Sequence, residues 1–154
     1  MESFEMALQD GFSIPTDLAR IDADHLFGDR YMVSEMFSFD GRDEDEYGHV
    51  FEWEDLTDPI WVEGAYAIRG CIDFEPDCVV LAHGEEIVGF YMGGQAWVDP
   101  DHRGSGFGAK MIISCIAMSG RLPDVRNIGF SAAGFAAHKD ALEILSEIRP
   151  HPAP

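Results

Sequence analysis

Basic residues are scarce in this sequence. Lys and Arg total 10 against 29 Asp and Glu, which gives a formal net charge of −19, and Lys110 and Lys139 are the only lysines. Binding to a nucleic-acid backbone needs clustered Lys and Arg that neutralise phosphates, so we expect no direct contact with nucleic acid. The acid excess leaves three interpretations open: a solvated charged surface, attraction of a cationic substrate, and mimicry of nucleic acid toward a basic partner.

Long apolar runs and cysteine motifs are also missing. No apolar run in the chain reaches the length that a bilayer requires, so no segment is predicted to span a membrane. The N-terminal residues MESFEMALQD carry acids where a secretion signal needs basic and apolar residues, which predicts a cytoplasmic protein. The sequence has no C-x-x-C or His-rich spacing, so we expect Cys71, Cys78 and Cys115 to be reduced core thiols and predict no metal site.

The apolar content is sufficient for one folded domain. Of 154 residues 46% are apolar, and they include 11 Phe and 3 Trp, which argues against global disorder. No internal repeat or low-complexity linker divides the chain, and a chain of this length is of ordinary size for one domain. We therefore treat residues 1–154 as a single domain.

The N-terminal half predicts one strand, two helices and an acidic loop. FEMALQDGF (4–12) is apolar enough for a first strand, and a helix is predicted to start after an N-cap at Thr16. Residues 40–58 hold nine acids and one Arg, which predicts an exposed loop or short helical turns. Asp58 and Pro59 are typical of an N-cap and a first helical residue, so we expect IWVEGAYAIRGCI to form the second helix.

The second half predicts a strand meander followed by helix, strand and helix. CVVLAH and IVGFYMG form two apolar strands joined by a turn at 84–86, and Gly93-Gly94 offers a tight turn into a third strand, QAWV. A helix over 109–118 that ends at Gly120, a strand in NIGFSAA and an amphipathic helix in AAHKDALEILSEI follow. This order predicts a mixed, mainly antiparallel sheet flanked by helices, an α/β (α+β) fold.

Three glycines at alternate positions follow the strand QAWV, in WVDPDHRGSGFGAKMI (97–112). Gly104, Gly106 and Gly108 let successive backbone N–H groups converge on one anion, and the start of the next helix has N–H groups without partners. Arg103 adds a charged donor. The Gly-Lys-Ser/Thr of a nucleotide-triphosphate loop is absent, and the hairpin before the loop disfavours a dinucleotide fingerprint. We predict a phosphate-binding loop, against the alternative of a turn that serves packing alone.

This loop resembles the acetyl-CoA pyrophosphate loop of the GNAT superfamily of N-acetyltransferases. The family pattern is a strand ending in Val-x-Pro, then Arg/Gln-x-x-Gly-x-Gly/Ala at the start of an apolar helix. The residues that fill this pattern are Val98, Pro100, Arg103, Gly106 and Gly108. The order of elements is similar over residues 4–148, whereas the motif itself covers residues 95–112.

The resemblance implies an acyl-CoA-dependent N-acyltransferase with acetyl-CoA as donor and an amine as acceptor. In this family the fourth and fifth strands splay apart, and the pantetheine arm binds the open backbone of the fourth strand. The implied strand residues are Ala96, Trp97 and Val98. The implied pyrophosphate loop consists of Arg103, Gly104, Ser105, Gly106, Phe107, Gly108 and Ala109.

The predicted last helix departs from the family pattern Asn-x-x-Ala-x-x-Leu-Tyr, in which the Tyr is a general acid. The best alignment places His138 at the Asn and Leu145, which has no proton to donate, at the Tyr. His138 is a candidate for proton transfer, and the alternative is an exposed histidine on an amphipathic helix. Tyr91 is a candidate proton relay, and its alternative is a core aromatic. We expect His83 and His102 to be turn residues rather than catalysts.

The family's closing strand hairpin has no counterpart in the sequence, since only RPHPAP follows the last predicted helix. Either the acceptor side is more open, or another subunit or the acidic N-terminal half fills the gap. We expect a homodimer, because a sheet edge would otherwise lie bare. The acidic segment 40–58 would border the acceptor entrance and attract a cationic amine. The alternative function is a catalytically inactive module of the same fold that binds acyl-CoA or uses its acidic surface to occupy a basic protein.

Overall fold

A computed structural model describes residues 8–9, 12, 32–33, 51–71, 78–123, 125 and 129–148. The elements in chain order are strands β1 Met32–Val33, β2 Leu56–Glu63, β3 Tyr66–Cys71, β4 Cys78–His83, β5 Glu86–Met92 and β6 Gln95–Val98, helix α1 Phe107–Ser119, strand β7 Gly129–Phe130 and helix α2 Ala132–Ile148. Two 3₁₀ turns, Trp53–Asp55 and Pro100–His102, precede β2 and follow β6. The predicted α+β class, with a mainly antiparallel sheet and helices, is confirmed.

Strands β2 to β6 form one five-stranded sheet in which each strand is antiparallel to the next. The predicted hairpin of CVVLAH and IVGFYMG is β4 and β5, which pair Val80 with Phe90. Gly93 and Gly94 make the predicted turn into β6 with φ values of 60° and 86°. Such left-handed values suit a two-residue hairpin turn, and glycine adopts them without strain.

The helix predicted from Pro59 onward is wrong, because this stretch forms β2 and β3. The run Ile-Trp-Val after Pro59 consists of β-branched and aromatic residues, which favour a strand once a neighbouring strand pairs with it. Gly64, with a φ of 61°, turns the chain from β2 into β3. Pro59 lies at an irregularity in the register of β2, where a residue without an N–H is tolerated. The meander therefore has five strands instead of the predicted three.

The first strand predicted in residues 4–12 is described in part. Leu8 forms an antiparallel bridge with Trp61 of β2, and the Gln9 N–H donates to the Ile60 carbonyl at 2.9 Å. These contacts agree with an extended segment beside β2.

Two further predictions for the N-terminal half concern residues that the structure describes only in part. The helix predicted after Thr16 and residues 40–50 of the acidic segment lie outside the described residues. The remainder of the acidic segment contains a 3₁₀ turn at Trp53–Asp55 and the beginning of β2. The 3₁₀ turn agrees with the predicted short helical turns, whereas residues 56–58 belong to β2, where the prediction is wrong.

Helix α1 occupies the centre of the core. All residues from 111 to 116 are buried, so α1 is covered on every side rather than along one stripe. The sheet packs against α1, and α2 contacts it as well. A Cβ added to Gly108 would lie 3.1 Å from the Cβ of Ala137, which shows how closely the two helices approach. The helix ends at the predicted Gly120, whose φ is 77°.

Helix α2 and strand β7 complete the described fold. Two residues of the predicted apolar face of α2, Ala141 and Leu145, are buried in the core. Strand β7 pairs in parallel with β1, Val33 lying opposite Phe130. Strands β6 and β7 consequently belong to different sheets, and a cavity lies between β6 and the beginning of α2.

Two composition-based expectations can be compared with the structure. Cys71, Cys78 and Cys115 are free and buried, as predicted. Among the helices that the structure describes, none combines the length and the apolar character needed to cross a membrane.

Replacement of Gly89 by alanine tests the close pairing of β5 and β6. A Cβ at this position would lie 2.7 Å from the Trp97 carbonyl oxygen, a backbone atom that cannot rotate away. We expect Gly89→Ala to lower the free energy of unfolding by roughly 1–3 kcal/mol, measured by urea denaturation. Gly64→Asn is the control, since nothing lies within 4 Å of that position and Asn tolerates its φ of +61°. Equal stability of the two variants would contradict the prediction.

Candidate functional site

A cavity of about 430 Å³ lies between β6, the loop after it and the N-terminal halves of both helices. Its volume is within the range of small-molecule pockets. Most of the predicted cofactor-binding residues line it: Ala96, Trp97 and Val98 from β6, Arg103, Gly104 and Gly106 from the loop, and Phe107, Gly108 and Ala109 from α1. Ser105 belongs to the same loop but is not part of the cavity wall.

One backbone edge of β6 is open on the cavity side. The Asp99 N–H donates to the Val88 carbonyl at 2.8 Å. Hydrogen-bonded and non-bonded pairs alternate along antiparallel strands. The backbone groups of Trp97, two residues before Asp99, therefore also point toward β5. The backbone groups of Ala96 and Val98 must then point away from β5. Within the described part of the chain β6 pairs with β5 alone, so no described strand covers this edge.

The loop after β6 is closed by its own side chains. The Asp99 carboxylate accepts from the Asp101 N–H at 3.0 Å and starts the 3₁₀ turn Pro100–His102. The turn returns Arg103 to the end of β6, where its Nε donates to the Val98 carbonyl at 2.6 Å. A guanidinium has five N–H donors, so a single bond from Nε leaves four for other partners. Arg103 therefore brings a positive charge to the cavity wall.

Helix α1 begins without a side-chain cap. Its N-cap is Gly106, with a φ of 73°, and the first turn contains no acidic residue. The first intrahelical bond joins the Lys110 N–H to the Gly106 carbonyl at 3.2 Å. The N–H groups of the three preceding residues, which line the cavity, therefore lack intrahelical partners. Together with the helix dipole they favour an anion at this place.

Helix α2 begins differently, although its first turns line the same cavity. The Ser131 hydroxyl accepts a hydrogen bond from the Gly134 N–H at 3.0 Å, and the Ser131 carbonyl accepts from the Phe135 N–H at 2.9 Å. This arrangement is an N-cap supplied by the chain itself. Of the two helix starts at the cavity, that of α2 therefore has a side-chain cap and that of α1 has none.

Tyr91 and His138, the two predicted catalytic residues, contact each other in the core. The Tyr91 hydroxyl lies 3.0 Å from His138 Nε2, and His138 Nδ1 lies 2.7 Å from the Gly134 carbonyl. A carbonyl only accepts, so Nδ1 carries the hydrogen, and Nε2 of the neutral ring accepts from Tyr91. Burial lowers the pKa of His138 to about 4 and raises the pKa of Tyr91 well above its ordinary value. The pair is therefore uncharged at neutral pH.

The pair stands behind the cavity wall rather than in it. His138 and Tyr91 are 0% and 1% exposed, so the interpretation of His138 as an exposed histidine is wrong, and Tyr91 is a core aromatic. Gly134 and Ala137, which flank His138 on α2, line the cavity, whereas neither His138 nor Tyr91 does. Leu145 is also buried in the core. The Tyr91–His138 bond joins β5 to α2 and thereby holds one wall of the cavity.

His102 and Asp140 are cavity residues that the sequence did not identify. His102 lies in the predicted turn, but its Nδ1 also forms a 2.9 Å hydrogen bond with the Tyr66 hydroxyl. The sequence contained no signal for this contact, because the residues around Tyr66 were predicted to form a helix rather than a strand beside the turn. Asp140 brings a carboxylate to the wall from α2, two turns beyond Ala133. His83, the other predicted turn residue, ends β4.

The described residues contain no group of three His, Cys, Asp or Glu side chains that could hold a metal ion. Comparison with protein-family models, with curated proteins and with solved structures finds no match for this chain. The resemblance to the GNAT superfamily therefore stays a prediction. It depends on residues 95–112 and on the order of elements, and the five-stranded meander differs from the expected order.

The buried imidazole of His138 makes the stability of the protein depend on pH. Its pKa rises from about 4 in the folded chain to the ordinary 6.5 on unfolding, so below pH 6.5 the unfolded chain binds a proton that the folded chain does not. We expect this group to lower the free energy of unfolding by about 2–3 kcal/mol between pH 7 and 4.5. Its contribution levels off below pH 4.

Urea denaturation of the protein and of His138→Gln at pH 7, 5.5 and 4.5 measures this contribution. Glutamine can still accept from Tyr91 but does not titrate, so the variant should lose less stability over this range. His83→Gln removes a different imidazole and serves as the control. The same pH slope in the protein and in His138→Gln would show that His138 is not the responsible group.

Proposed function

We propose that the protein is an acyl-CoA-dependent N-acyltransferase of the GNAT type, with acetyl-CoA as the donor. The observation that carries the proposal is that one cavity combines an uncapped helix start with an open strand edge. Coenzyme A has a diphosphate and a pantetheine arm with two amides, and it needs both kinds of partner. A turn that served packing alone would require neither.

The diphosphate is assigned to the start of α1. Three backbone N–H groups converge there, and Gly104 and Gly106 hold the loop with φ values of 99° and 73°. Arg103 supplies the charge that backbone groups lack, and bonds between a guanidinium and a phosphate are about twice as strong as neutral ones. The anion would therefore bind where the uncapped start of α1 and the Arg103 guanidinium meet.

The pantetheine arm is assigned to the open edge of β6. An extended chain with amides can bind such an edge as an added strand does, through the backbone groups of Ala96 and Val98. The Val98 carbonyl already accepts from Arg103. The Val98 N–H and both backbone groups of Ala96 are then left for the ligand. This arrangement would direct the thioester along β6, away from the loop.

The reaction would depend on positioning. The amine nitrogen bonds to the acyl carbon, the C–S bond breaks, the nitrogen loses a proton and the thiolate takes one up. A backbone N–H of β6 next to the thioester would stabilise the oxyanion that forms between these steps. We assign Tyr91 and His138 a positioning role, because they hold α2 and do not line the cavity. We propose that the reaction takes place in the cytoplasm, a compartment in which the free thiols of Cys71, Cys78 and Cys115 stay reduced.

A second candidate is a module of the same fold that binds acyl-CoA without turnover. The specific observation in its favour is that neither predicted catalytic residue lines the cavity and that both are neutral and buried. Leu145, at the position of the family's general acid, is buried as well. Among the described residues Asp140 provides the only carboxylate of the cavity wall.

Calorimetry with acetyl-CoA tests the loop. We expect binding, and we expect Arg103→Ala to weaken it by roughly 1–3 kcal/mol because a charge-assisted hydrogen bond is lost. Arg121→Ala is the matched control, since Arg121 follows the far end of the 13-residue α1, about 20 Å from the helix start. Absence of binding at several hundred micromolar acetyl-CoA would refute both candidate functions. An unchanged affinity of Arg103→Ala would refute the assignment of the loop.

Thiol release from acetyl-CoA distinguishes the two candidates. The acceptor of the transferase is expected to be a cationic amine, because the chain carries a net charge of −19 that attracts cations. Release of free thiol is measured with a panel of polyamines, aminoglycosides and lysine peptides, and with neutral amines for comparison. We expect faster release with the cationic amines than with the neutral ones, and rates that fall as salt is added. Binding of acetyl-CoA without release over the whole panel would favour the non-catalytic module.

A further inference from the structure

Cys71 and Cys78 lie opposite each other at the ends of two neighbouring strands. The register of β3 and β4 pairs Gly70 with Val79. One step further along both strands, Cys71, the last residue of β3, faces Cys78, the first residue of β4. Side chains of opposite residues in antiparallel strands share one face of the sheet. Both thiols accordingly belong to the same apolar cluster.

The backbone spacing at this pair suits a disulfide. The Gly84 N–H donates to the Ala65 carbonyl at 3.0 Å, so these two residues form a hydrogen-bonded pair of the ladder. Such pairs recur at every second position, and the register between β3 and β4 has no irregularity, so Cys71 and Cys78 form one as well. The Cα atoms of a hydrogen-bonded pair are about 5.5 Å apart, and disulfides join residues with Cα atoms about 4.4–6.8 Å apart.

The two thiols also contact each other, and they differ in exposure. The Cys78 thiol donates a hydrogen bond to Cys71, and this bond, together with burial, raises the pKa of Cys78. Cys78 is 0% exposed and Cys71 is 7% exposed. A molecule as small as a peroxide therefore reaches the Cys71 sulfur first, while Cys78 keeps its proton beside that sulfur. Cys115 belongs to a different cluster, which α1 forms on the other face of the sheet.

We propose that Cys71 and Cys78 are a redox-sensitive pair, which a peroxide converts into a disulfide across β3 and β4. A reducing compartment keeps both residues as thiols, so the bond forms only when peroxide is present and a thiol reductant reverses it. The inference goes beyond the proposed function and does not depend on it, since neither cysteine lines the cavity.

The oxidation proceeds in two steps, with hydrogen peroxide as the simplest oxidant. The Cys71 sulfur gives up its proton and attacks one peroxide oxygen; the S–O bond forms, the O–O bond breaks, and the other oxygen leaves as water with that proton. The Cys78 sulfur then attacks the Cys71 sulfur; the S–S bond forms, the S–O bond breaks, and the oxygen leaves as water with the Cys78 proton. The two thiols lose two electrons, and the peroxide becomes two molecules of water.

Counting of thiols tests the inference. The folded protein is treated with hydrogen peroxide, unfolded in guanidinium and labelled with a maleimide, and mass spectrometry counts the labels. The chain has three cysteines, so the untreated protein takes up three labels. We expect the treated protein to take up one, and dithiothreitol to restore all three. Oxidation of methionine to its sulfoxide changes the mass but not the number of labels.

The position of the bond is tested with the unchanged protein and with serine variants. A protease that cuts before aspartate cleaves at Asp73 and Asp77, between the two cysteines, so the two fragments should stay joined until they are reduced. Cys115→Ser, the matched control, should go from two labels to none, whereas Cys71→Ser should keep both. In Cys78→Ser the sulfenic acid formed on Cys71 has no thiol to react with, and dimedone should capture it.

Three results with the unchanged protein would each overturn the inference. They are three labels after peroxide treatment, a loss of labels that dithiothreitol does not restore, and fragments that join Cys115 in place of the Cys71–Cys78 bond. None of them affects the acyl-CoA proposal, which calorimetry with acetyl-CoA tests on the reduced protein. Both proposals can therefore fail separately.

Discussion

The burial of helix α1 between the sheet and α2 is the constraint on which the rest of the described structure depends. A helix that is covered on all sides cannot shift without opening the core, so its N-terminus has a fixed place beside the end of β6. Gly108 permits the close approach of α2 at Ala137. This approach brings the first turns of α2 to the cavity opposite β6. The walls of the cavity are consequences of core packing.

The two polar side chains that are fully buried in the described core, Ser114 and His138, are paired, whereas backbone groups at the cavity are not. The Tyr91–His138 bond and the Ser114 hydroxyl, which donates to the Lys110 carbonyl at 2.8 Å, satisfy buried side chains. The start of α2 has its own cap in Ser131. Among the described residues the start of α1 has no side-chain cap, and the outer edge of β6 has a partner at the Val98 carbonyl, which accepts from Arg103, but no neighbouring strand. A ligand with an anionic group and amides would complete the hydrogen bonding that the fold leaves open.

The local charge at the cavity differs from that of the whole chain. The net charge of −19 would repel an anionic cofactor at long range. Arg103 and the α1 dipole oppose this repulsion at a place where the first turn of α1 carries no acid. The same acidity would favour a cationic acceptor. This charge distribution is compatible with the proposed reaction, in which an anionic donor and a cationic acceptor would meet at one cavity.

The sequence by itself determined the features that depend on neighbouring residues. The β4–β5 hairpin, the turn at Gly93-Gly94, α1 with its stop at Gly120 and the loop with Arg103 follow from turn chemistry, apolar runs and glycine dihedrals, which act over a few residues. Only the tertiary structure decided the rest. Strands β2 and β3 exist because they pair. Tyr91 and His138 are 47 residues apart, and Tyr66 and His102 are 36 apart. Contacts at such separations leave no local pattern, because packing of distant segments creates them.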